Sequence, residues 1–177
     1  LWRSYDALLA ASGQDASGGV MDDAVTIVYT SGTTGRPKGT VLTQDALFHN
    51  AVNAIAAQDI TAQDHVLTVL PMFHVGGMNI HTTPGIHAGA TITILARFDP
   101  AETLAALNSG GPTIFLTVPA MAIALTAHPD WADTDLSNLR FVGLGSSAVP
   151  AAILHAFLDR DIPATQAYGL TESAPVA

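Results

Sequence analysis

Short apolar or β-branched runs alternate along the chain with longer stretches of helical periodicity. Runs at 24–30, 65–70, 91–95, 113–118, 140–144 and 165–168 read as strands. Segments at 43–58, 76–87, 100–108, 120–127 and 150–159 read as helices. The runs AVTIVYT (24–30) and TIFLTV (113–118) are continuous rather than alternating, which is the pattern of strands buried on both faces. Asp99-Pro100-Ala101-Glu102 carries a helix start, with an N-cap acid, proline at the first helical position and an acid at the third. Pro150 similarly opens a run that places Ile153, Leu154, Phe157 and Leu158 on one side. Ahead of these units, 2–11 reads as a short amphipathic helix and 12–23 as a loop rich in Gly, Ser and Asp. The alternation predicts an α/β fold: a mostly parallel, doubly wound sheet with helices on both faces. Residues 1–23 form its N-terminal helix and loop, and residues 24–177 its core. Ligands of such sheets bind at the carboxyl ends of strands, and each unusual loop here is placed at such an end.

Composition narrows the partners. At 177 residues, 49% hydrophobic and 12% charged, the chain has room for one well-buried domain. A net charge of −9 repels polyanions, so nucleic acid is excluded as the main partner. ATP is compatible with that charge if backbone N–H groups and a metal ion supply a local positive field. There is no cysteine, hence no disulfide, thiolate nucleophile or zinc–thiolate site. No apolar run reaches the roughly 18 residues of a transmembrane helix. Leu1-Trp2-Arg3-Ser4-Tyr5-Asp6 lacks the order of a secretory signal. Without an initiator Met or a stop to the last element, both ends read as cut from a longer polypeptide.

The densest chemical signal is Thr30-Ser31-Gly32-Thr33-Thr34-Gly35-Arg36-Pro37-Lys38-Gly39, after the first predicted strand. Glycines let the backbone approach an anion, hydroxyls and N–H groups donate to phosphate oxygens, and Lys38 and Arg36 add charge. A flexible surface loop has the same composition. The position between a buried strand and a helix starting near Thr43 favours phosphate. It is not a Walker A loop, because Pro37 precedes Lys38 and Gly39 follows it. With Tyr29 in front, the segment resembles the signature loop of the adenylate-forming superfamily, which includes acyl- and aryl-CoA synthetases, luciferases and the adenylation domains of peptide synthetases.

Three later motifs follow in that family's order. Pro71-Met72-Phe73-His74-Val75-Gly76-Gly77-Met78-Asn79 contains a histidine beside an aromatic, more often a structural arrangement than a catalytic one. His74, His81 and His87 lack the spacing and carboxylate partners of a metal site. The segment resembles the family's aromatic–His motif. That implies a positioning role for His74 and an acyl pocket formed by His74, Val75, Gly76, Gly77 and Met78. Gly143-Leu144-Gly145-Ser146-Ser147-Ala148 matches the dinucleotide fingerprint Gly-x-Gly-x-x-Ala, a rival reading as an NAD(P)-binding oxidoreductase module. No acid follows at the end of the next predicted strand to hold a ribose. In the family the equivalent turn runs along adenine and the acyl carbonyl; Ala148 here stands where proline is usual. Gln166-Ala167-Tyr168-Gly169-Leu170-Thr171-Glu172 resembles the next family motif. By that match Tyr168 stacks on adenine, Thr171 contacts phosphate and Glu172 binds Mg²⁺, with Gln166, Ala167 and Gly169 completing the nucleotide wall.

The resemblance implies activation of a fatty or aryl carboxylic acid with ATP and Mg²⁺ to acyl-AMP, then transfer to coenzyme A. It further implies a cytoplasmic enzyme and leaves open a homo-oligomer. The catalytic pair carried over is His74 and Glu172. A fatty-acyl-AMP ligase or a carrier-protein-loading adenylation domain is the alternative within the superfamily. The family's ribose-binding Asp motif, hinge and small C-terminal domain have no match here, so the chain is expected to be a piece of the large domain with little activity alone.

Overall fold

The computed structural model describes residues 19–32 and 35–176. The helix predicted over 2–11 lies outside them, as do Thr33 and Thr34. The described chain opens with an antiparallel hairpin, β1 (Ala24–Thr30) and β2 (Lys38–Thr43), which leads directly into helix α1 (Gln44–Gln58). Thr43 caps that helix by accepting the Ala46 N–H at 3.2 Å. Next come β3 (His65–Thr68), helix α2 over 75–88, β4 (Thr91–Ile94) and helix α3 (Pro100–Asn108). β5 (Ile114–Thr117), helix α4 (Pro119–Thr126), β6 (Phe141–Leu144), helix α5 (Ala151–Leu158) and β7 (Ala164–Gln166) complete the order.

β3 to β7 form one parallel sheet in the order β4-β3-β5-β6-β7, as expected of βα units. Side chains alternate between its faces. Leu67, Phe115, Val142 and Leu144 point to one side and pack with Leu104 and Leu107 of α3, Ala122 and Leu125 of α4, and Ile153 and Phe157 of α5. Val66, Ile114 and Phe141 point to the other side, against Ile55 of α1 and Ala88 of α2. Leu67, Phe115, Val142 and Phe157 are fully buried, and each such side chain contributes about 1.5–3 kcal/mol relative to exposure. Helices thus cover both faces, and Pro100 and Pro119 sit in first turns where no N–H is lost.

Two expectations are corrected. β1 is not a strand of the main sheet and is not buried on both faces: Val28 is buried, while Val25, Ile27 and Tyr29 are 52–72% exposed. The loop after it therefore joins two antiparallel strands; it is not the end of a parallel strand running into a helix. Its successor β2, KGTVLT, was absent from the predicted elements because its start, Lys38-Gly39, reads as loop.

α2 also departs from a plain helix. It runs as an α-turn (Val75–Gly77), a π segment (Met78–Thr82) and a final α stretch (Thr83–Ala88). Side chains meet the carbonyls that the π segment disturbs. Thr82 Oγ1 donates to Gly77 O at 2.7 Å and Thr83 Oγ1 to Met78 O at 2.8 Å. Since the Thr82 proton is committed to Gly77, the 2.7 Å bond between Thr68 and Thr82 hydroxyls has Thr68 as donor. The helix is thereby tied to β3.

The amino ends of the strands are clasped by Asp64. Its carboxylate accepts from Arg140 Nε (2.8 Å) and Nη2 (2.9 Å), Thr113 Oγ1 (2.7 Å) and the Thr61 N–H (2.8 Å). Burial works against ionisation of Asp64, but the bonds from Arg140, Thr113 and Thr61 outweigh it and hold the carboxyl at about 2, below its ordinary 3.8. His81, on the π segment, is the opposite case: burial alone pushes it from 6.5 down to about 4.

Arg140→Leu should lower unfolding free energy by about 3 kcal/mol, because Asp64 keeps a buried charge without its partner. Urea midpoints for wild type and variant measure this, and equal midpoints would refute the clasp. The pH dependence has a sign for each group. Both folded-state pKa values are depressed, so both contributions are present at high pH and lost on acidification. For Asp64 the loss runs from near pH 4 down through about 2. For His81 it runs from about 6.5 to 4 and amounts to about 3 kcal/mol. Urea midpoints at half-unit pH steps should show the upper step in wild type and not in His81→Leu.

Candidate active site

The hairpin brings the phosphate-type loop to the carboxyl edge of the sheet. Thr30 and Lys38 are the last cross-strand pair, so residues 31–37 form the connecting loop. Gly32 (φ 66°) and Gly35 (φ 76°) take left-handed backbone, and the Gly35 N–H returns to Gly32 O at 3.3 Å. A side chain at Gly32 would also collide with the Arg36 carbonyl, so this glycine is required by both backbone and space. Arg36 on the loop and Lys38 at the start of β2 are exposed.

After β3, residues 71–74 lead into α2. His74 is the N-cap of that helix: its Nδ1 accepts the Gly76 N–H at 2.9 Å. Accepting at Nδ1 puts the ring proton on Nε2, so His74 offers an N–H donor and no free basic nitrogen. The positive end of the helix dipole lies behind it, which favours an anion in front.

β6 and β7 supply the opposite wall. After β6 the chain turns through Gly145 to Ser146, a non-glycine residue with φ 70°. After β7 come Ala167, Tyr168 and Gly169, then a 3₁₀ turn over Thr171–Ser173. Tyr168 is 73% exposed, its ring free of aromatic partners among the described residues. Leu170 N–H donates to Pro175 O at 2.9 Å, folding 169–176 back on itself and fixing Glu172 beside the cleft.

These pieces enclose a cavity of about 360 Å³ whose walls include Thr30, His74, Val75, Gly76, Ser146, Ala167, Tyr168, Gly169, Thr171 and Glu172. A second cavity of about 540 Å³ adjoins it across Ser146, Ala167, Tyr168 and Gly169 and is walled further by Ser147, Ala148 and Gln166. Ten sequence-predicted residues thus meet in one cleft and three more in its neighbour. Ser31, Gly32 and Gly35 are on the loop and Lys38 opens β2, all outside both walls. Gly77 and Met78 do not reach the cleft: Gly77 backs onto the Leu70 and Pro71 carbonyls, and Met78 packs with Val28, Leu42 and Val75. Ile80, Leu170, Pro175 and Val176 also line the cleft and were missed. Ile80 had a readable signal, four residues beyond Gly76 on a helix. Leu170 lies within the 166–172 motif, whereas Pro175 and Val176 carried no signal, because a chain reversal puts them there.

The dinucleotide-fingerprint reading of 143–148 is overturned. Gly143 lies inside β6, not in a turn, and α5 begins only at Ala151, so no helix N-terminus follows the glycines directly. Gly143 lacks a side chain for another reason: an added Cβ would come within 2.9 Å of the His81 ring.

Among the described residues no group of three or more His, Cys, Asp or Glu side chains could cage a metal ion. Glu172 is the lone carboxylate of the cleft, and one carboxylate beside room for phosphate oxygens and water is the donor set that suits Mg²⁺. Over residues 4–177 the sequence matches the family of AMP-binding enzymes. The chain belongs to that family. Relatives include an indoleacetate–CoA ligase of Aromatoleum aromaticum, 43% identical over 99% of this chain and 35% of that protein. A feruloyl-CoA synthase of an Amycolatopsis species is 38% identical over 88% of this chain and 32% of that protein. The chain therefore spans about a third of the length of these AMP-binding relatives. Its fold matches the inhibitor-bound N-terminal domain of FACL13 from Mycobacterium tuberculosis, with TM-score 0.83, 30% identity, and coverage of 96% of this chain and 42% of that one. It also matches the O-succinylbenzoate coenzyme A synthetase MenE of Bacillus subtilis in complex with AMP, with TM-score 0.81, 29% identity, and coverage of 97% and 44%.

The His74 cap is testable without any substrate. His74→Leu should cost about 1 kcal/mol of stability by leaving the first turn of α2 uncapped, and His74→Asn, able to cap, should recover most of it. Equal denaturation midpoints for the two variants would count against the cap.

Proposed function

We propose that residues 24–177 form the ATP-binding core of an acid–thiol ligase, which activates a carboxylic acid as acyl-AMP and passes it to coenzyme A. The observation that carries this is the convergence of Thr30, His74, Ser146, Tyr168, Thr171 and Glu172 on one cleft from four separate loops of an AMP-binding fold. An aromatic acid is favoured over a fatty one. Two relatives are named for indoleacetate and feruloyl groups, both aromatic. Its substrates, ATP and coenzyme A, favour a cytoplasmic setting, and no helix among the described residues is long and apolar enough to cross a membrane.

In the first step the substrate carboxylate attacks the α-phosphorus of ATP, and pyrophosphate leaves. Two anions must be brought together, so donors have to face the charge that builds up. Thr30, Ser31, Thr33, Thr34, the backbone at Gly32 and Gly35, and Lys38 would receive the pyrophosphate end. Tyr168 would lie on the adenine, with Ser146, Ser147, Ala148, Gln166, Ala167 and Gly169 framing it and Thr171 donating to phosphate. His74 Nε2–H would hold one carboxylate oxygen, leaving the other free to attack, with Val75 and Gly76 beside the acyl group. Glu172 would hold Mg²⁺, which neutralises phosphate charge when bound. In the second step the thiol of coenzyme A attacks the acyl carbon and AMP leaves. No enzyme nucleophile is needed, in keeping with a chain that has no cysteine.

The test uses the complete polypeptide that contains this chain. Pyrophosphate exchange across a panel of carboxylic acids should detect an aromatic substrate, and product analysis with coenzyme A against a carrier protein identifies the acceptor. Glu172→Gln should slow Mg²⁺-dependent adenylation by about 10²-fold or more with an unchanged far-UV spectrum. Wild-type kinetics across a Mg²⁺ titration would remove Glu172 as the ligand. No exchange with any acid would overturn the function.

A further inference from the structure

The π segment of α2 contains a buried group that the reaction above does not use. His81 is 2% exposed, and among the described residues neither ring nitrogen has a hydrogen-bond partner. The void beside His81, lined by Thr68, Leu70, Gly77, Thr82 and Leu116, is too narrow to admit a water molecule. An unpaired buried polar group carries a desolvation cost, and nothing in the packing requires imidazole. Its neighbours include the Phe141 ring, 5.5 Å away in a T-shaped arrangement, and the bare backbone of Gly143.

Its position relates it to the cleft. Along α2, Gly76 and Ile80 form the stripe that faces the cleft, and Gly77 and His81 form the next stripe, turned toward the sheet. Along the strands, Gly145 packs on Ala167 at the cleft wall, and Gly143 lies two residues deeper, about 7 Å down the strand. His81 therefore lies one stripe over from the cleft, toward the sheet; Ile80 lines the cleft, and Leu70 and Leu116 line the void beside His81. Ile80 packs there against Leu70 and Leu116.

Building on the ligase reading, we propose that His81 is a specificity-determining residue, which selects aromatic acids carrying a hydroxyl or ring N–H at the end distal to the carboxylate. Burial keeps the ring neutral, so it offers one donor and one acceptor, the complement of a hydroxyl. Displacement of the Ile80 side chain opens the void, and the distal group then supplies the hydrogen bond that the protein withholds. An acid lacking that group leaves His81 unpaired and gains only apolar contact, a difference that discriminates strongly. The absence of a side chain at Gly143 is what gives the ring its place.

The experiment compares kcat/KM in the complete enzyme for matched pairs of aromatic acids that differ only in distal hydroxyl against methyl, or ring N–H against ring C–H. Wild type should prefer the hydrogen-bonding member of at least one pair by ~10-fold or more. His81→Leu should erase that preference while retaining activity on the apolar member, and Ile80→Ala should retain it. Absence of preference in wild type across all pairs overturns the proposal without any variant, as does a preference that His81→Leu leaves intact. If His81→Leu does not fold, the ring ¹⁵N shifts of His81 in wild type decide: they should move with the hydrogen-bonding member and not with its isostere, and equal shifts overturn the proposal. Activation of no acid at all would be a failure of the ligase reading; activation without distal preference is a failure of this inference alone.

Discussion

The attachment of α2 to the sheet is the constraint on which the cleft depends. One cross-strand row, Thr68–Leu116–Gly143, runs beneath the π segment. Thr68 donates to Thr82, and Thr82 donates to Gly77 O. Leu116 packs on Ile80, and the gap at Gly143 takes the His81 ring. These contacts set the depth and rotation of the helix. The first turn of α2, with His74 as its cap, then has one position relative to β6 and β7.

Stability and chemistry are divided between the two ends of the sheet. At the amino ends, Asp64, Arg140 and Thr113 tie together the starts of β3, β5 and β6 through a dense set of charged bonds. At the carboxyl ends the chain is irregular, with exposed Ser146, Tyr168 and Glu172 and a left-handed Ser146. A rigid end lets the other end hold polar groups away from their best packing. That is the arrangement a parallel sheet offers to a ligand.

How far the sequence could be read varied with the range of the forces involved. The main strands, α3 with its Asp99 cap and Pro100, and the fold class were legible because each rests on local periodicity or capping. β1 misled because a run apolar on both faces suggests two-sided burial, and only Val28 turns inward. β2 was hidden by Lys38-Gly39, although Val41 outside and Leu42 inside alternate as a strand should. Within the cleft, Thr30, His74, Tyr168 and Glu172 stood out by motif. Pro175 and Val176 did not, since a reversal of the chain places them. Gly143 entered a rival dinucleotide-fingerprint reading because a spacing pattern carries no information about strand ends.

By itself, the sequence determined the strands of the main sheet, most of the helices, and which loop residues bear hydroxyl, imidazole, aromatic or carboxylate groups. All of these follow from neighbours a few positions apart. The AMP-binding character of those loops came from their resemblance to a known family. Only the tertiary structure decided that the phosphate-type loop closes a hairpin, that His74 spends Nδ1 on its own helix and presents Nε2, and that His81 is buried over Gly143 without a partner. Each of these depends on where one element lies against another. Burial and hydrogen-bond satisfaction are properties of that arrangement, and residue order alone does not contain them.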